Sequence, residues 1–300
     1  MLNKAKNLII ILIPLALWGS LYPFIKIGYD AFAIDGASIP DILMFAGYRF
    51  TVCGAVVCII SLIKMEKLET PIKKSIFNII HMGLWAIVLH YAFTYIGLSL
   101  TDSSKTALLK QLGVLLYVCF AFLFIKEEKF SVLKIAGAVL GFSGVMAINT
   151  GSGSVSFSVG DILIILASVC TVVSSVMTHK YVQGSSPFWV TGISQLAGGL
   201  ILLIAAFVMG GNVLYFTWRS TLVFAYICTS SIIAYVLWNY ILKTNNLSKL
   251  FIIKFAEPLF ACLFGAVLLG EDIFKLQYLV AFVLISLGII LGNRKEDEHV

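Results

Sequence analysis

Lys110 and Lys254 each stand inside an apolar stretch, and they occupy the same place in two halves of the chain. Laying the segment from Ser104 upon the segment from Ser248 brings Lys105 onto Lys249, Lys110 onto Lys254, Glu127 onto Glu271, Phe130 onto Phe274, Gly144 onto Gly288 and Asn149 onto Asn293, without a gap. A cation at the centre of a lipid-spanning helix costs about 3 kcal/mol and is kept where it binds something or lines a path for ions or protons. A duplicated one predicts a site for a ligand with negative charge. Lys105 and Lys249, nearer the helix ends, read instead as interfacial anchors whose ammonium groups reach the headgroups.

Other groups gather around that pair. Glu257 is the one carboxylate deep in an apolar run, three residues after Lys254, a spacing that puts both on one helix face. It either neutralises that lysine, the favoured reading, or takes up a proton and so releases the lysine to a substrate. Gln111 follows Lys110 directly. His90, Tyr91 and Tyr95 give one apolar run a polar-tipped aromatic face, and Tyr235, Trp238 and Asn239 do the same for another at i, i+3 and i+4. Trp18 and Tyr22 lie one turn apart, with Pro23 next to them as a hinge for a gate. Aromatic walls bearing a few hydroxyl and amide groups suit a small amphipathic ligand. Arg49 is a further cation near mid-span, with Ser194 or Gln195 as its approximate counterpart in the other half, which predicts a polar contact between helices; the alternative is that it binds backbone carbonyls or a substrate carboxylate. Trp85, Trp189 and Trp218 fall near the ends of apolar runs and fit the aromatic belt.

The elements that position these residues follow from composition. Apolar residues make up 60% of the chain and charged ones 12%, with a mean hydropathy of +1.01, which is beyond what a water-soluble fold can hide. The chain therefore reads as an all-α integral membrane protein. Ten helices are predicted, approximately Leu8 to Gly28, Pro40 to Leu62, Ser75 to Leu98, Thr101 to Phe124, Val132 to Ile148, Val159 to Tyr181, Pro187 to Met209, Thr221 to Leu242, Leu247 to Leu269 and Leu276 to Leu291. The first is read as a retained span, because its apolar stretch is too long for a removed signal peptide. Lysines and arginines collect in alternate connections (Lys4 and Lys6; Lys64, Lys67, Lys73 and Lys74; Lys126, Lys129 and Lys134; Lys180, Lys243, Arg294 and Lys295), placing both termini inside, N-in and C-in. Residues 1–150 and 151–300 then form two five-helix repeats. An odd number of spans per repeat makes them inverted, and such repeats hold substrate near the midplane at their interface.

Several classes of function are set aside by the same reading. The net charge of +6 is spread through the connections, which gives no support to a nucleic-acid partner. Cys53, Cys58, Cys119, Cys170, Cys228 and Cys262 lie scattered in apolar runs without metal-ligand spacing and read as packing residues. No zinc-protease, nucleotide-phosphate or nucleophile motif is present, so no enzyme, cofactor or direct ATP drive is expected. The expected partners are a small-molecule substrate and the lipid bilayer. Gly137 and Gly141 make a small-residue face for a neighbouring helix or for a second copy in a homodimer.

The Leu17-Trp18-Gly19-Ser20 turn with Lys26 beyond it, Tyr48-Arg49-Phe50, His90-Tyr91, Tyr95-Ile96-Gly97-Leu98 and Glu257-Pro258 with Leu269-Gly270-Glu271 together resemble the drug/metabolite transporter superfamily, EamA-like branch. The resemblance covers nearly the whole chain. It implies a ten-helix secondary transporter with a central cavity lined by the first, third, fourth, sixth, eighth and ninth helices, often an exporter of amino acids or other metabolites. It also implies that the third-helix histidine and tyrosine face that cavity. The chain departs from the family in reading Gly113-Val114 where a fourth-helix proline is common, and Ile125-Lys126-Glu127 for the Leu-Gly-Glu end of the first half. Lys110-Gln111 and Lys254 are similar to the basic residues by which the related sugar-phosphate translocators hold their anion, which bears on the charge of the substrate.

The expectation is thus a secondary transporter in a bacterial cytoplasmic membrane, working by alternating access on a small anionic or zwitterionic metabolite. A broad exporter of drugs or lipophilic cations is the alternative, and it would want a midplane acid unshielded by lysine. A membrane-embedded enzyme lacks a motif, and an accessory subunit leaves the duplicated lysines unexplained.

Overall fold

Backbone that crosses hydrocarbon must bond within its own segment, so a chain this apolar folds as helices. The computed structural model bears this out, with helices and no strand among the described residues. It describes residues 2–35, 38–100, 103–123, 129–148, 158–245, 247–270 and 276–292. Glu127, Asn149, Glu271, Phe274 and Asn293 of the repeat, and Lys126, Lys275, Arg294 and Lys295 of the charge pattern, lie outside the described residues.

The first half holds α1 (Leu2–Ala31), α2 (Ile39–Ile63), α3 (Ile72–Gly83), α4 (His90–Ser99), α5 (Ser103–Phe120) and α6 (Val132–Ile148). The second holds α7 (Val159–Gly184), α8 (Pro187–Val208), α9 (Trp218–Thr244), α10 (Leu247–Lys254), α11 (Glu257–Leu269) and α12 (Leu276–Gly292). Seven helical stretches among the described residues are long and apolar enough to cross a membrane, and shorter apolar helices occupy Leu109–Cys119, Val132–Gly144 and Leu279–Gly292.

Local chemistry sets the boundaries. Ser158 and Asp161 cap α7 reciprocally, each side chain bonding the other's backbone N–H at 3.2 and 2.6 Å, and Thr217 and Ser220 do the same for α9. Pro40 and Pro187 sit in the first turns of α2 and α8, where a missing N–H costs nothing. Gly270 ends α11 with φ +68°, a conformation that glycine adopts without strain.

Two predicted helices are interrupted, both beside the candidate site. The run expected from Leu247 to Leu269 breaks after Lys254. Pro258 has no N–H, so the Lys254 carbonyl loses its i+4 donor, and the chain tightens through Phe255 N to Ile252 O (3.3 Å) and Ala256 N to Ile253 O (2.9 Å). The run expected from Ser75 to Leu98 contains a wide, π-helical turn over Leu84–Leu89 immediately before His90, and such a turn shifts the register of the helix beyond it. α1 runs on through Pro14 and Pro23, the latter the residue expected to kink it.

Packing brings the halves together. α2 lies along α8, α6 along α12, α1 against α9 and α11, and α4 and α5 against α7. Glycines let backbones meet, as is common between helices in lipid. A Cβ at Gly137 would stand 2.7 Å from the Gly288 carbonyl oxygen, and one at Gly288 would stand 2.6 Å from that of Gly137. The small-residue face of Gly137 and Gly141 is therefore turned to its own chain, with Gly141 against Phe255. The six cysteines lie within the helices and form no disulfide, as the sequence suggests.

Candidate substrate-binding site

α1 supplies the backbone of the site. Trp18 and Tyr22, one turn apart, each meet one of the two lysines: the Lys110 ammonium is 5.7 Å from the Tyr22 ring centroid, and that of Lys254 is 5.3 Å from the Trp18 ring. Lys254 also lies 5.7 Å from the Trp238 ring and 5.9 Å from that of Phe251, so three aromatic faces surround one cation. Each such contact is worth about 0.5 to 2 kcal/mol, more as water is excluded. Both lysines are half-buried.

Tyr22 links the lysines to the carboxylate. Its hydroxyl donates to Glu257 Oε1 at 3.2 Å, and Glu257 and Lys254 both act electrostatically on Lys110. The expected Lys254–Glu257 pair is not formed; among the described residues Glu257 makes no ion pair. The Lys254 ammonium lies instead among the rings of Trp18, Trp238 and Phe251.

A second aromatic layer lies behind the first. Trp18 packs edge-on against Tyr235 (5.4 Å) and Trp238 (5.3 Å), and the Tyr235 and Tyr91 hydroxyls are hydrogen-bonded at 2.9 Å. Tyr91 also contacts Phe50, His90 and Tyr95, with ring centroids 4.6, 4.9 and 5.7 Å away. His90 is fixed by α7: its Nδ1 lies 3.1 Å from the Ala167 carbonyl, which can only accept its proton, and 3.0 Å from Thr171 Oγ1, while both lysines act on the ring. A neutral ring with its proton on Nδ1 offers an acceptor at Nε2.

The remaining predicted residues divide. The Trp18 indole N–H and the Gln111 amide oxygen are buried without a hydrogen-bond partner, which is costly unless something fills the place. Asn239 turns away from this cluster and donates to Thr191 Oγ1 of α8 at 2.8 Å. Tyr95 is buried among Ile42, Met44 and Ile87. Arg49 makes the polar contact between helices expected of it, but with Ser231 of α9 at 3.0 Å. Ser231, Thr171 and Phe251 carry no motif and could not be found from sequence; the Tyr91–Tyr235 bond was legible, because their interval equals that of the lysines.

Tyr22 is 46% exposed, and Lys26 and Asp30, at the next two turns of the same face, are exposed as well. Asp30 is paired with Arg219 at 2.9 Å. A polar stripe thus leads from the end of α1 to Glu257 and Lys110. The open groove of about 790 Å³ lined by Lys67, Ser185, Phe188, Val236 and Lys243 contains none of these residues and lies away from the charged cluster.

The comparisons with known proteins agree with this architecture. The EamA-like transporter family matches residues 5–150 and 158–294. The chain is 27% identical over 289 residues to the uncharacterized inner membrane transporter YedA of Escherichia coli, covering 93% of this chain and 90% of that one. It is 24% identical to the uncharacterized transporter YvbV of Bacillus subtilis, covering 98% and 93% of the two chains. A solved crystal structure superposes with a TM-score of 0.78 at 19% identity, over 96% of each chain, a likeness of fold alone. The chain is a multi-pass integral membrane transporter and belongs to the EamA-like transporter family.

Proposed function

We propose that this transporter is a secondary carrier that works by alternating access on a small anionic or zwitterionic metabolite, such as an amino acid or an organic acid. The observation that carries the reading is the meeting of Lys110 and Lys254, from opposite halves of the chain, on Tyr22 and Trp18, one turn apart on α1. Two cations stand against one carboxylate, which acts on Lys110 and accepts a hydrogen bond from Tyr22. The site is biased positive and can hold an anion.

Ten spans in two inverted repeats, residues 1–150 and 151–300, with both termini inside, are the arrangement proposed around it. The seven long and three short apolar helices support ten spans, and the pairing of α2 with α8 and α6 with α12 is what a twofold relation in the membrane plane produces. A bacterial cytoplasmic membrane is supported by the inner-membrane name of the Escherichia coli relative, and export is the direction the family resemblance implies.

Counterflow in proteoliposomes tests the substrate class. Liposomes loaded with unlabelled amino acids, organic acids or lipophilic cations are offered the labelled solute outside. Saturable exchange of an anion or zwitterion supports the reading. Saturable exchange of lipophilic cations alone overturns it in favour of the second reading, drug export, which has one observation on its side: Glu257 makes no ion pair among the described residues.

A further inference from the structure

Arg49 is 1% exposed, and it is the largest of the fully buried side chains. Its Nε donates to Ser231 Oγ, its guanidinium carbon lies 4.9 Å from the Phe50 ring centroid, and its Nη1 is buried with no hydrogen-bond partner. The ionisable groups that act on it most strongly are Tyr91, Tyr95, Tyr235 and Cys53, with no carboxylate among them. Arginine stays charged at any accessible pH, and a buried cation without a counter-ion is strongly unfavourable. With Nε on Ser231 and the Tyr95 hydroxyl also hydrogen-bonded to the side chain, the open Nη1 donor in that setting matches a carboxylate oxygen.

The guanidinium joins the lysine site through rings. Phe50 lies 6.4 Å from Tyr235, Tyr235 lies 5.4 Å from Trp18, and Lys254 sits over Trp18. Two cationic poles are thus separated by an aromatic wall, and the buried Trp18 N–H in that wall has no hydrogen-bond partner among the described residues. Arg49, Lys110 and Lys254 against Glu257 leave an excess of two positive charges among the described mid-span residues. A monoanion or a zwitterion does not cancel that excess, and a single phosphate head meets only one pole.

We propose that the substrate is a dicarboxylate, with one carboxylate on Arg49 Nη1, the other at Lys254 and Lys110, and its carbon chain along Trp18 and Tyr235. This rests on the transporter reading above and narrows its substrate class.

The test is ligand-induced thermal stabilisation of the purified full-length protein, titrated with malonate, succinate, glutarate and adipate, with monocarboxylates of equal carbon number, and with glycerol 3-phosphate. The best dicarboxylate is expected to bind at least about tenfold tighter than its monocarboxylate, the size of one charge-assisted hydrogen bond. Arg49→Gln should bring that ratio close to one while monocarboxylate affinity holds within about twofold, and Arg49→Lys should fall between. Should Arg49→Gln fail to fold, Ser231→Ala, which removes one of the hydrogen bonds that orient the guanidinium, is expected to lower the ratio severalfold. A wild-type ratio near one, a preference for glycerol 3-phosphate over every dicarboxylate, or a ratio unchanged in Arg49→Gln overturns the proposal. If Lys110→Ala/Lys254→Ala abolishes anion binding while the Arg49→Gln ratio persists, the arginine pole falls and the carrier reading stands. If no anion stabilises the wild type, both fall.

Discussion

The hydroxyls of Tyr91 and Tyr235 stand 2.9 Å apart, and the interval of 144 residues between them is the interval that separates Lys110 from Lys254. The lysines meet α1 at Tyr22 and Trp18, and Trp18 packs against Tyr235 of that bonded pair. Under a twofold arrangement such a bond lies on the axis itself, where a carrier that exchanges the roles of its halves needs a contact that looks the same from both. Tyr91→Phe and Tyr235→Phe are each expected to slow transport by a similar factor, about three- to tenfold for one hydrogen bond. The double variant should be little worse than either single one. Full additivity in a double-mutant cycle of initial rates would show that the pair does not act as a unit.

The aromatic faces around Lys254 hold its ammonium in place through attraction to the rings. Trp18→Leu and Trp238→Leu should each raise the apparent KM for the substrate by about three- to thirtyfold, the range of one desolvated cation–π contact. Trp85→Leu, outside the cluster, serves as the control. An unchanged KM in both cage variants would remove the rings from binding.

Glu257 offsets one of two lysines and is held by Tyr22. Its removal as a charge should strengthen the attraction of the site for an anion. Glu257→Gln is expected to bind the substrate anion more tightly and, with a stronger hold, to turn over more slowly. Isothermal titration alongside transport rates measures both. Weaker binding in Glu257→Gln would mean that the carboxylate contacts a cationic part of the substrate instead.

The sequence carried the helices and the lysines because both are written in residue type: long apolar runs bounded by serine, threonine and proline signals, and charges repeated in register. It carried less of the geometry. The i, i+3 spacing of Lys254 and Glu257 does not show that aromatic rings take the lysine in place of the carboxylate, and the face drawn through Tyr235, Trp238 and Asn239 does not show that Thr191 captures Asn239. The wide turn before His90 has no residue signature and depends on packing against α7 and α8. Arg49 was legible as an interhelical contact, while its open Nη1 could be seen only with its neighbours in place.

The stripe of Tyr22, Lys26 and Asp30 predicts an aqueous approach from the end of α1, which is the outer side in an N-in chain. In a cysteine-free background, Tyr22→Cys and Lys26→Cys should react with a membrane-impermeant thiol reagent added outside intact cells, and substrate should protect Tyr22→Cys. Reaction only after the inner face is opened would reverse the assigned orientation.

Close contact between α6 and α12 depends on the absence of side chains. Gly137→Val is expected to lower stability by about 1 to 3 kcal/mol, since a Cβ there meets the Gly288 carbonyl and Gly292 backbone. Thermal unfolding in detergent measures it, and a Tm within error of wild type would show that the two helices part without cost.

Initial rates of labelled anion uptake into proteoliposomes, compared between wild type, Lys110→Ala, Lys254→Ala and the double variant at matched folded protein, address the paired lysines most directly. Saturable uptake should fall at least about tenfold in each single variant and vanish in the double. Saturable uptake that survives in the double variant would contradict a substrate site built on the two lysines.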